Sequence, residues 1–126
     1  MMNRLARLST GAGAITGAVA VALGAFGAHA LRGVLDAAAL ATWHTAVEYQ
    51  SWHALALLAC GTFARDHEAR SLRVAATAFA FGIVVFCPSL YALALGAPRW
   101  LGAITPLGGV AFIVGWLALA VHARSG

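Results

Sequence analysis

Four stretches of this 126-residue chain, 11–31, 41–64, 74–95 and 100–121, are almost free of charge. About 20 apolar residues cross the hydrocarbon of a bilayer as a helix. In lipid the backbone must satisfy its own hydrogen bonds, so a bundle of such helices is the structure this pattern permits. Four crossings use roughly 80 residues and leave about 45 for ends and turns. That excludes a soluble domain or a nucleotide-binding fold. Only 10% of the residues are charged, against about 25% in a soluble domain. The expected class is all-α: a polytopic membrane four-helix bundle, with residues 1–126 forming a single domain.

The second stretch is the weakest. Its purely apolar part, Ala54 to Ala64, has 11 residues, too few to span. It crosses only if the segment from Trp43 to Gln50 also enters the membrane, which predicts that this segment faces protein rather than lipid.

The eight basic residues are all Arg and all lie outside the apolar runs. No basic stripe or aromatic-interleaved patch exists, so nucleic acid is excluded as a partner despite a net charge of +4,. Arg4, Arg7, Arg65, Arg70, Arg73 and Arg124 fall on one side of a four-span topology, and Arg32 and Arg99 on the other. The excess places both termini and the middle loop in the cytoplasm. Trp43, Tyr91 and Trp100 are then expected at the outer interface. Ala28-His29-Ala30 has the form of a signal-peptidase site,. The preceding apolar run is longer than a signal peptide needs, so it is read as a retained helix.

Polar residues from all four stretches share one depth. At 1.5 Å per residue, His29, His44 and Tyr91 lie within about 6 Å of the outer helix ends. Thr105, Ser89 and Glu48 follow at about 7 to 11 Å, Gln50 near 14 Å and His53 near 18 Å. They are expected to form one inward cluster with Glu48 bonded to a neighbour, because an unpaired carboxylate there costs several kcal/mol. His44 and Glu48 share one helix face; Tyr49 and His53 share another, roughly 100–140° away. One helix therefore cannot bring both histidines to one metal. Pro88 should kink the third helix by removing a bond to Val84.

No metal, cofactor or catalytic set is expected, since neither a third ligand nor a nucleophile–base motif is present. Cys60 and Cys87 differ in depth by about 16 Å, too far for a disulfide, and read as small apolar fillers. Gly13 and Gly17 form a GxxxG pair, followed by Gly24 and Gly27, with Gly108 and Gly109 in the fourth stretch. These are read as helix-packing positions, within the bundle in preference to a homodimer face.

Several motifs occur in order: Gly24-Ala25-Phe26-Gly27-Ala28-His29-Ala30-Leu31, Thr45-Ala46-Val47-Glu48-Tyr49-Gln50, and His53-Ala54-Leu55-Ala56-Leu57-Leu58. Ser89-Leu90-Tyr91-Ala92-Leu93-Ala94-Leu95, Thr105-Pro106-Leu107-Gly108-Gly109 and Gly115-Trp116 complete them. Together they resemble the domain of unknown function 423 family, small four-span membrane proteins that include transmembrane protein 256. The resemblance implies a bacterial inner-membrane, multi-pass protein and supplies no activity. Cys87-Pro88 stands where the family usually carries Ser-Gly. Two functions are expected from residues and resemblance together. One is a non-enzymatic bundle serving as accessory or scaffold, with the lipid bilayer and a homo-oligomer or larger membrane complex as partners. The other is transport or small-ligand binding at the outer polar cluster around Glu48.

Overall fold

The computed structural model describes residues 1–125; Gly126, the last residue of the expected domain, lies outside them. Four long helices account for most of the chain: α1 Arg4–His29, α2 Ala37–Phe63, α3 Arg70–Ala94 and α4 Thr105–Ser125. The all-α expectation holds. α1, α3 and the stretch Arg99–Arg124 are long and apolar enough to cross a membrane. α2 has 27 residues, ample length, but its polar side chains set it apart.

The helix ends follow local chemistry. Asn3 accepts from the Ala6 N–H at 2.9 Å and Asp36 from the Ala39 N–H at 2.8 Å. Each satisfies an orphan donor of a first turn, so α1 and α2 begin before the apolar runs do. α3 stops in a Schellman turn in which the Ala97 N–H reaches Ala92 O and the Gly96 N–H reaches Leu93 O,. Gly96 sits at φ +96°, a conformation that excludes most other residues. The fourth run was expected to be helical from Trp100; instead Arg99–Ala103 forms a 3₁₀ turn before α4. α3 continues unbroken through Pro88.

The helices alternate in direction. α1 packs mainly on α2, α2 on α3 and α3 on α4. At one end the Leu5 N–H donates to Glu68 at 2.8 Å, and Ser71 bonds His122 at 3.1 Å. The start of α1, the α2–α3 connection and the end of α4 therefore share that end. The middle of the bundle is aromatic: buried His53, Phe79 and Phe112 pack between α2, α3 and α4 with half-buried Tyr49 and Phe86, and exposed Trp116 closes the group from outside. Cys60 and Cys87 are buried and unpaired.

The packing glycines act within the chain. A Cβ on Gly13 would lie 2.8 Å from Ala54 O, and one on Gly27 would lie 2.5 Å from the Trp43 ring. Gly24 faces Val47 and Gly17 faces Ala54 more loosely. Across the bundle a Cβ on Gly108 would meet the backbone N of Phe86 at 2.6 Å, whereas Gly109 leaves 3.9 Å to that ring. The glycines let paired helices approach until dispersion contacts between backbones replace contacts with lipid.

Candidate functional site

α2 decides what the polar residues can do, because a helix presents one face to its neighbours. Trp43, Ala46, Gln50, His53, Leu57 and Cys60, spaced three and four apart, are its buried stripe,. Glu48 lies about 200° around the axis from Gln50. It therefore points away from the bundle and is exposed, as are His44 and Thr45. His29 is exposed at the end of α1.

This corrects the expected inward cluster. Glu48 makes no hydrogen bond or ion pair among the described residues, and it is not within reach of His29, Tyr91, Ser89 or Thr105. The separation of the His44/Glu48 face from the Tyr49/His53 face is as the helical wheel requires. The second of these faces turns in. It carries the larger rings and the groups that can bond to three helices.

The remaining polar residues form three separate clasps. Gln50 donates through Nε2 to Thr16 O at 3.0 Å, and its Oε1 accepts from the Tyr91 hydroxyl at 2.8 Å. One side chain thus ties α1, α2 and α3. His53 lies 5.6 to 6.0 Å from the Phe79 and Tyr49 rings and stacks on Phe112 at 3.6 Å between centroids. Its Nε2 lies 3.0 Å from Trp116 Nε1 and its Nδ1 2.7 Å from Tyr49 O. An indole nitrogen can only donate, so Nε2 accepts and Nδ1–H donates to the carbonyl. That fixes one neutral tautomer with both ring nitrogens engaged. The third clasp joins α3 to α4. Ser89 donates to Phe86 O at 2.8 Å, and its Oγ lies 2.6 Å from the Thr105 hydroxyl, a pair in which either oxygen can be the donor,.

Hydroxyls on the outward side of α2 are satisfied without neighbours. Thr42, Thr45, Ser51 and Thr62 each donate to the carbonyl four residues back, at 2.8 to 3.2 Å. Glu48 has no such recourse, because a carboxylate cannot donate. No three His, Cys, Asp or Glu side chains come together among the described residues.

Two tryptophans take roles the sequence did not single out. Trp43, expected at the outer interface, is 3% exposed. Its indole N–H donates to Leu23 O at 2.9 Å, and its ring meets Tyr91 edge-on at 4.6 Å. The notch at Gly27 was the available signal: a glycine on α1 makes room for one large ring from α2. Trp116 supplies the donor that fixes His53. Its only trace in sequence is the Gly115-Trp116 pair, in which Gly115 admits Phe79 beside it.

Known proteins agree with this architecture in kind. The family described as "Protein of unknown function (DUF423)" matches residues 23–109. A UPF0382 membrane protein of Staphylococcus saprophyticus is 49% identical over 86% of this chain and 90% of its own length. The UPF0382 membrane protein YwdK of Bacillus subtilis is 46% identical over 88% of this chain and 91% of its own. The UPF0382 inner membrane protein YgdD of Escherichia coli is 39% identical over 87% and 84%. No solved structure matches. With relatives of this kind and three helices of spanning length, the chain is an inner-membrane protein. It belongs to the DUF423 family of membrane proteins, a family of unassigned function.

Proposed function

We propose that the chain is a four-span, non-enzymatic bundle that works by lateral contact with another membrane protein through the outward face of α2. The observation that carries this reading is the position of Glu48. It lies about 17 Å along a helix about 40 Å long, close to the middle of α2, exposed and without a partner among the described residues. An unpaired carboxylate within the hydrocarbon costs several kcal/mol. A partner chain that offers a donor removes that cost. Gln50, His53, Ser89, Tyr91 and Thr105 support the same reading, since each is already used in a clasp between helices. The transport or ligand reading relied on an inward cluster of Glu48 with His44, His29, Ser89, Tyr91 or Thr105; His44 shares the outward face of Glu48 without a bond to it, and the others lie elsewhere.

Native mass spectrometry of nanodisc preparations tests the proposal. Wild type should carry a stoichiometric protein partner, or a second copy of itself, and Glu48→Leu should lose it. The variant's own unfolding midpoint should shift by no more than about 0.5 kcal/mol equivalent, as for an exposed site. Recovery of wild type alone, or carrying only a small molecule, would sink the scaffold reading.

The proposed topology places both termini and the middle loop in the cytoplasm. All three lie at one end of the bundle, with six of the eight arginines,. A cysteine replacing Ala97 should react with an impermeant thiol reagent in intact cells, whereas one replacing His67 should not. The reverse pattern would invert the orientation, and labelling of both would refute four spans.

A further inference from the structure

At the end of the bundle that holds the α2–α3 connection, Arg70 and Arg73 stand one turn apart on α3, both exposed. Neither guanidinium has a hydrogen bond or ion pair among the described residues. The carboxylate nearest in sequence, Glu68, is turned instead to the Leu5 N–H at 2.8 Å. Two open grooves between α3 and α4 meet at Arg70. One, of about 630 Å³, also takes in Arg73 and runs over Val74, Phe81 and Val114. The other, of about 650 Å³, shares Arg70, Val74 and Val114 and runs over Leu117 and Val121.

We infer that this surface binds one anionic phospholipid, its phosphate on Arg70 and Arg73 and one acyl chain along each groove. The shape carries the assignment. A single charged head and two apolar channels leading from it match a diacyl lipid, which has one phosphate and two chains. A free phosphate would use the arginines and leave both grooves empty. A protein helix would have one apolar ridge and no reason to follow two channels. The charge fits as well: two unpaired guanidiniums favour a headgroup with net negative charge over a zwitterionic one. Arg forks bond phosphate oxygens in pairs, which fixes the headgroup as well as attracting it. The inference does not depend on the partner proposed for α2, which lies on another helix.

The test uses the purified full chain in neutral detergent, titrated with dioleoylphosphatidylglycerol or dioleoylphosphatidylethanolamine and read by native mass spectrometry. One phosphatidylglycerol should be retained per chain, at least tenfold in preference to phosphatidylethanolamine. At about 1 kcal/mol per arginine, R70Q/R73Q should weaken retention about 30-fold. R7Q/R124Q, which removes two exposed arginines from the same end of the bundle, should change it less than twofold. Val114→Trp, which fills the point the grooves share, should also displace the lipid while the arginines remain. Unfolding midpoints of all variants, measured without lipid, confirm that each is folded. Equal retention of the two lipids, an equal loss in R7Q/R124Q, or displacement of phosphatidylglycerol by millimolar inorganic phosphate would overturn the inference.

Discussion

Trp43→Ala is expected to destabilise the bundle by about 3 kcal/mol or more, the largest loss of any single truncation in α2. The ring is 3% exposed, seated over Gly27, and packed edge-on against Tyr91 at 4.6 Å. In lipid, removal of an apolar ring from water is not the driving term. What is lost is dispersion contact on every side of the ring, together with the bond from its N–H to Leu23 O,. Gly27 cannot fill the space, and Tyr91 would lose the surface that orients its hydroxyl toward Gln50. Trp43→Phe keeps most of the ring and should cost only about 1 kcal/mol. Unfolding midpoints in mixed micelles, titrated with dodecyl sulfate, distinguish the two. Equal losses would mean that the hydrogen bond, not the packing, holds α1 to α2.

Gly108→Leu should separate α3 from α4. A Cβ there would stand 2.6 Å from both the backbone nitrogen and the Cβ of Phe86. Backbone cannot swing aside as a side chain can, so the helices must move apart. That movement breaks the Ser89–Thr105 bond and parts Phe86 from Phe112, whose centroids lie 5.3 Å apart. A cost of about 3 kcal/mol or more follows, at the upper end of overpacking effects. The adjacent residue gives the contrast. Gly109 leaves 3.9 Å to the Phe86 ring, so Gly109→Ala should be within about 0.5 kcal/mol of wild type. The same dodecyl sulfate titration reads both. If Gly109→Ala proved as damaging as Gly108→Leu, the register of α4 on α3 would be wrong.

Helix number and approximate extent were legible because apolar runs of this length admit little else. Helix ends were less so. Asn3 and Asp36 start their helices ahead of the apolar runs, and Trp100 falls in a 3₁₀ turn because the chain must first leave the Gly96 turn. Glycine spacing pointed to positions where Gly13 and Gly27 of α1 sit close against α2.

Rotation of α2 about its axis was not readable. Depth placed Glu48, Gln50 and His53 near one another, and cost suggested that the carboxylate should be hidden. The helix could hide only one side. Trp43, Gln50 and His53 form interhelical bonds from a single stripe, and Glu48 lies opposite that stripe. A rule that buries the most expensive group assumes that the chain alone must bury it; the lateral partner proposed for α2 would remove that requirement.

That neighbour is the central claim, and photo-crosslinking in intact membranes tests it most directly. Benzoylphenylalanine at position 45, exposed beside Glu48 on α2, should yield a discrete protein adduct, and the adduct should vanish when Glu48→Leu is added. The same probe at position 113 on α4, where Ile113 is 59% exposed, should yield lipid adducts only. Lipid adducts alone at position 45, or a protein adduct indifferent to Glu48, would contradict the account.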